Sequence, residues 1–245
     1  MPSLHIGCSG FNYKHWKEVF YPPGLPQKRW LEHYCSVFPT VELNVTFYRL
    51  PLAGAFNRWY HDTPADFVFS LKGSRYITHL KRLTDAGEPL KLFFERAALL
   101  KEKLQVVLWQ LPPNFHSDID RLYYFLRQLR NYPVRHTFEF RHESWITGDV
   151  IDLCRKSKVS ICMADAPEFN FNLPVTADFI YIRRHGAMGV NGDYTKDFLE
   201  QDATRIRGHL SQGRDVFVYF NNDAYGFAPK NALMLRESLQ MEPVG

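Results

Sequence analysis

The sequence predicts one α/β domain spanning residues 1–245, folded as a TIM-type (β/α)8 barrel with a reduced or missing helix after strand 6. Three observations carry that expectation. Eight short segments alternate apolar and polar residues with the period of a strand, and most are followed by segments with helical spacing. Strands that alternate with helices run parallel, and eight such units in 245 residues close into a barrel rather than opening into a doubly wound sheet. No composition break or linker divides the chain, and the first turn, Gly7-Cys8-Ser9-Gly10, lacks the G-x-G-x-x-G pattern of dinucleotide-binding sheets.

In chain order, Leu4-His5-Ile6-Gly7-Cys8-Ser9 reads as the first strand, and Trp30, Leu31, Tyr34 and Phe38 give the first helical stripe. The second strand is expected over Thr40 to Phe47, followed by a short helix from Ala53 to Asp62. Phe67 to Gly73 is the third strand; a long loop carrying Arg75, Thr78 and His79 leads to a helix over Leu90 to Lys103. Val106 to Leu111 is the fourth, stopped by Pro112-Pro113. A helix over Asp118 to Arg130 follows, with Asp118 as its N-cap. Thr137 to His142 is the fifth strand and Gly148 to Lys158 its helix. The sixth strand, Ser160 to Ala166, precedes Pro167 to Ala177, where two prolines and no helical period account for the expected gap in the helical layer. Phe179 to His185 is the seventh strand, with a helix over Lys196 to Ser211; Asp215 to Asn222 is the eighth, with a last helix from near Pro229 to Gln240.

Composition narrows the class. Aromatic residues make up 16% of the chain, enough for a substantial core, and a net charge of +4 permits an anionic partner without demanding one. No Lys/Arg run resembles a nucleic-acid tail, and no apolar stretch is long enough to span a bilayer. Cys8, Cys35, Cys154 and Cys162 form no C-x-x-C pair, so reduced thiols in a soluble cytoplasmic protein are expected.

The functional reading comes from the face of each strand opposite its apolar set. In a barrel the apolar sets pack under helices, leaving polar residues to point inward at the C-terminal strand ends, where barrel enzymes place their chemistry. Those ends carry Ser9, Asn44, Lys72, Gln110, Arg141, Asp165, Arg183 with His185, and Asn221; Glu42 and Glu139 sit two residues deeper in their strands. Satisfied internal ion pairs would also account for Glu42 and Glu139 individually. So many polar groups at one end are better accounted for by a ligand pocket.

These stretches resemble the YecE-like family, catalogued as domain of unknown function 72. The matching runs are Gly7-Cys8-Ser9-Gly10 with Tyr13 and Trp16, Val41 through Pro51, Lys72 with Ile77-Thr78-His79, Gln110-Leu111-Pro112-Pro113, Glu139-Phe140-Arg141-His142 with Ser144-Trp145, Asp165, Tyr181-Ile182-Arg183 with His185-Gly186, and Tyr219 through Asp223 with Asn231. They occur in order along nearly the whole chain. Phe11 departs from the family's usual Trp. The resemblance implies a TIM-barrel-like fold and no particular activity.

The chemistry expected of the pocket is general acid/base catalysis of a hydrolase, lyase or isomerase type, with Glu139, Glu42, Asp165 and His185 as catalytic candidates. Lys72, Arg141, Arg183, Asn44, Gln110, His79, Asn221 and Asn222 are candidates for holding a small phosphorylated or nucleotide-like anion. No cofactor is required. A divalent metal, as in nuclease-like or isomerase-like barrels, is the weaker option, because Lys72, Arg141 and Arg183 would repel it and the chain has no H-x-H or H-E-x-x-H. The remaining alternative is a non-catalytic binder of a nucleic acid or phosphorylated metabolite. No membrane partner is expected, and the sequence does not decide the oligomeric state.

Overall fold

The computed structural model describes residues 1–165 and 173–240. The strands are β1 (Leu4–Ser9), β2 (Thr40–Leu43), β3 (Val68–Lys72), β4 (Leu104–Gln110), β5 (Arg135–Glu139), β6 (Ser160–Ile161), β7 (Met163–Ala164), β8 (Phe179–Arg184) and β9 (Asp215–Phe220). All pair in parallel, in the order β6-β5-β4-β3-β2-β1-β9-β8-β7. The two ends of that order are halves of one stave, separated only by Cys162. β6 pairs with β5, the Cys162 N–H donates to the Phe138 carbonyl, and β7 then pairs with β8. The sheet therefore closes into an eight-stave α/β barrel.

Around it lie α1 (Trp30–Val37), the single turn α2 (Val45–Tyr48), α3 (Ala53–His61), α4 (Gly87–Ala97), α5 (Ile119–Leu129), α6 (Gly148–Lys156), α7 (Lys196–Ser211) and α8 (Phe227–Gln240). Strand parity divides the core in two. Val41, Phe69, Val107, Phe138, Ile180 and Val218 face out into the large cluster beneath the helices. Val68, Val106, Leu108, Phe179, Tyr181, Phe217 and Tyr219 fill the barrel interior. This apolar set, with the Thr40 and Ser70 hydroxyls bonded to that of Tyr219, occupies the lower and middle layers of the interior, and Glu42, Glu139 and Arg183 lie toward the end from which the βα loops leave.

The expected N-cap holds: the Asp118 carboxylate accepts the Arg121 N–H at 3.0 Å. Several boundaries move. β2 ends at Leu43, four residues before its expected end, because Asn44 turns helical at φ −82°, ψ −18° and Val45–Tyr48 forms α2. Thr46 fastens that turn, with its hydroxyl 2.7 Å from the Lys72 carbonyl at the end of β3 and 2.9 Å from that of Leu43. β5 is displaced toward the N-terminus and stops at Glu139, leaving Arg141 and His142 beyond the sheet. The helix expected over Leu90 to Lys103 begins at Gly87 and gives way at Ala98 to 3-10 turns that kink at Lys101. The loop after β3 contains a π-helical turn, Tyr76–Leu80. α8 begins at Phe227, so Pro229 sits third, still among the positions whose N–H has no helical acceptor. Residues 173–178 are not helical, and the rest of the expected gap after the sixth stave lies outside the described residues. Among the described residues no helix is long and apolar enough to cross a membrane.

Candidate functional site

The mouth of the barrel is organised around Arg183, which β8 carries into the interior with its side chain fully buried. Its Nη2 donates to Glu42 Oε1 at 2.8 Å and its Nη1 to Glu139 Oε2 at 2.6 Å, so one guanidinium spans two carboxylates delivered by β2 and β5. Both carboxylates are saturated. Glu42 also accepts from the Ser9 hydroxyl and the Tyr181 hydroxyl, each at 2.6 Å. Glu139 also accepts from Gln110 Nε2 at 3.0 Å and from Arg141, which lies above it just past the end of the strand. Burying these ions without partners would be prohibitive, and full pairing with extra hydrogen bonds removes that penalty. Burial alone would raise the Glu139 carboxyl, but Arg183, His185 and Arg141 outweigh it and hold it well below the usual carboxylate range.

His185 joins this cluster to a chain of amides. Its Nε2 lies 3.3 Å from Glu139 Oε1, and its Nδ1 lies 3.1 Å from Asn221 Nδ2. Asn44 Nδ2 lies 3.3 Å from both Asn221 Oδ1 and the Ser9 carbonyl. Because two acceptors face Asn44, its amide nitrogen must be turned toward them. The amides then run one way, from Asn44 to Asn221 and from Asn221 to His185 Nδ1, while His185 Nε2 faces Glu139 Oε1, Arg141 Nη2 at 3.1 Å and Arg183 Nη1 at 3.4 Å. Asn44 Oδ1 is left buried with no donor. Burial, reinforced by the Arg183 charge and opposed by Glu139, lowers the His185 pKa and so favours the neutral ring.

Lys72 is the exception in this saturated mouth. β3 buries its side chain to 7% exposure beside the cluster, with Nζ 4.2 Å from the centre of the Phe47 ring. No described residue gives that nitrogen a hydrogen bond or an ion pair. Burial, with the nearby Arg183 charge, pulls its pKa down to about 8, and Glu139 and Glu42 oppose the shift only in part. The two guanidinium groups answer the two carboxylates, so the Lys72 charge is left over. His79 lies near it, edge-on to Phe47, with Nδ1 2.9 Å from the Thr78 hydroxyl. Burial and then the Lys72, Arg75 and Arg82 charges lower His79 to about 4.

Of the residues singled out from the sequence, Glu42, Glu139, Arg141, Arg183, His185, Gln110, Asn44 and Asn221 form one bonded network, and Lys72 borders it. Asp165 does not join them. It shares the parity of Ile161 and Met163, which pack outward, and its carboxylate instead receives the His185 backbone N–H at 2.5 Å and the Tyr194 hydroxyl. It braces the loop after β8 and stands apart from the carboxylate–guanidinium network. Asn222 is likewise turned away, donating to the Gly192 carbonyl and to Asn231 Oδ1, both at 2.8 Å. Sequence reasoning missed the part of Tyr181 as a donor to Glu42 and that of Phe47 as the platform beneath Lys72. The inward parity of Tyr181 was readable in the strand; Phe47 was not, because its position depends on the early end of β2.

Among the described residues no group of three or more His, Cys, Asp or Glu side chains is arranged to hold a metal ion. A cavity of about 600 Å³ lies at the opposite end of the barrel, against Leu104, Arg135, Val159 and Phe179, where strands begin. Barrel enzymes place their chemistry at the end where strands finish, which is where the polar convergence described above lies.

A family model described as "Protein of unknown function DUF72" matches residues 5–244. The chain belongs to this family. The YecE-like motifs read from the sequence therefore mark true membership. The UPF0759 protein YunF of Bacillus subtilis is 26% identical over 277 residues, covering 99% of this chain and 96% of that protein. A DUF72 family protein from Thermotoga maritima, solved by crystallography, superposes with a TM-score of 0.86 at 29% identity, covering 98% of this chain and all of the other. A DUF72 family protein from Enterococcus faecalis shares the fold at a TM-score of 0.81 and 20% identity, covering 98% of this chain and 96% of that one. DUF72 names a fold and a set of positions rather than a reaction, so the chemistry must be argued from the mouth.

Proposed function

We propose that the barrel mouth binds a small phosphorylated anion, held by Lys72 and by the outer edge of Arg141, and that His185 is the group placed to move a proton on it. The observation that carries this reading is Lys72: a buried ammonium with no carboxylate partner among the described residues, beside a cluster whose other charges cancel. A mostly buried cation without a counter-ion is short of compensation, and an incoming anion supplies it. Arg141 keeps 24% of its side chain exposed, so it can turn a guanidinium edge to the same ligand while it holds Glu139. Glu42 and Glu139 are fully engaged, which makes them positioning groups rather than proton carriers. A neutral imidazole with its Nε2 beside Arg141 is better suited to transfer. Four free cysteines, three of them buried, fit a cytoplasmic setting.

The commitment of both carboxylates favours a second reading, a binding protein without turnover. Calorimetric titration with ribose 5-phosphate tests the shared part. Wild-type protein is expected to bind, and Lys72→Met to lose roughly tenfold or more, the worth of one charge-assisted contact. Retained affinity in Lys72→Met would contradict the reading. Turnover of a phosphorylated substrate that vanishes in His185→Gln while binding persists separates the enzyme from the binder.

A further inference from the structure

A second cavity opens on the flank of the mouth, between the loops after β1 and β2 and the side of α3. It holds about 420 Å³ and is lined by Phe11, Tyr13, Leu43, Asn44, Tyr48 and Trp59. That volume lies within the range of small-molecule sites, and the named lining carries no formal charge. Four of the six residues are aromatic. Tyr13 spends its hydroxyl on the Ser9 carbonyl at 2.6 Å, so it offers the cavity its ring. Tyr48 is 75% exposed and packs edge-on to Phe47, leaving most of its surface uncovered.

The lining has two polar amide side chains, exposed Asn12, whose Oδ1 accepts from Gln27 Nε2 at 2.7 Å, and half-buried Asn44. The Asn44 nitrogen is turned to Asn221 and the Ser9 carbonyl, and its Oδ1 is buried with no hydrogen-bond donor. An acceptor left without a donor keeps its desolvation cost uncompensated. The same side chain begins the amide chain that runs through Asn221 to His185 and Glu139. The aromatic cavity and the charged mouth therefore share a wall.

We infer that this flank cavity is a subsite for the nucleobase of a nucleoside phosphate, with the ring stacked on the aromatic lining and its polar edge toward Asn12 and Asn44. A heteroaromatic ring has apolar faces and a polar rim, which is the pattern the lining presents. A sugar would bring many hydroxyl groups to a wall with few partners for them. A purely apolar ligand would leave the amide edge of the lining, Asn12 and Asn44, without a partner. Placing the phosphate at Lys72 and Arg141 rests on the reading given under Proposed function; the ring subsite does not.

Calorimetry of the full chain tests the inference with the four common nucleoside 5′-monophosphates, ribose 5-phosphate and the four free nucleosides. At least one nucleotide is expected to bind tenfold or more tightly than ribose 5-phosphate. Tyr48→Ala should erase that advantage and leave ribose 5-phosphate within twofold of wild type, and Asn44→Leu should erase the advantage as well. Tyr48 is exposed, so its truncation does not threaten the fold even if Asn44→Leu does. Nucleotides that bind no better than ribose 5-phosphate would overturn the inference and leave the anion reading standing. A nucleoside that binds in a Tyr48-dependent way, while ribose 5-phosphate does not bind, would support the ring subsite and overturn the anion reading. Absence of binding by every probe overturns both.

Discussion

Arg183 shows what a single residue contributes to this mouth. It is fully buried and compensates two carboxylates at once, so its removal exposes a double deficit. Arg183→Met is expected to cost roughly 3–5 kcal/mol in urea unfolding, the range for breaking a buried pair by deleting one partner. A loss below about 1 kcal/mol would mean that Glu42 and Glu139 find other partners or take up protons. Inward parity made Glu42, Lys72, Glu139 and Arg183 legible in the sequence, because a period of two assigns faces once the apolar face is known. The same rule should have excluded Asp165: Ile161 and Met163 share its face and pack outward. Its polarity suggested a site residue, and its partner Tyr194, 29 positions away, carries no local signal.

Strand existence and order were readable because each strand announces itself over several residues. Strand ends were not, because side chains from neighbouring elements set them. β2 stops where Thr46 reaches across to the end of β3, a contact that no window on β2 contains. That early end supplies both the Asn44 turn and the position of Phe47, so two features of the site depend on it. Close approach between elements yields a paired expectation. At Gly7 an added Cβ would lie 2.2 Å from the Thr40 carbonyl oxygen, a backbone atom that β2 cannot withdraw, whereas at Gly54 nothing lies within 4 Å. Gly7→Ala is expected to cost on the order of 3 kcal/mol through displacement of β1 from β2. Gly54→Ala, within α3, should be neutral or gain up to about 1 kcal/mol. Thermal unfolding of the two variants side by side checks this, and equal melting temperatures would contradict the β1–β2 geometry.

At the scale of the molecule, closure gathers the βα loops at one end and fills the rest of the barrel with Val68, Val106, Leu108, Phe217 and their neighbours. The fold class was legible because alternation and length suffice for it. The charge balance at the mouth was not, since it depends on which cation each carboxylate selects, and only side chains in place reveal that Lys72 is left over. That uncompensated charge sets what the mouth can bind, and pH tests it most directly. A phosphate monoester stays dianionic above pH ~7, since its second pKa is about 6, so the ligand does not titrate in the window that matters. The Lys72 amine, lowered to about 8, binds the anion only when protonated, so affinity must fall as pH rises past that value. The measurement is the dissociation constant of ribose 5-phosphate from pH 7 to 9.5, for wild type and for Lys72→Arg, which keeps its charge throughout. Wild-type affinity is expected to hold near pH 7 and then weaken by close to tenfold per pH unit above about 8.5, with Lys72→Arg nearly flat. A flat wild-type profile, or an equal decline in Lys72→Arg, would contradict the claim that Lys72 is the charge this mouth reserves for its ligand.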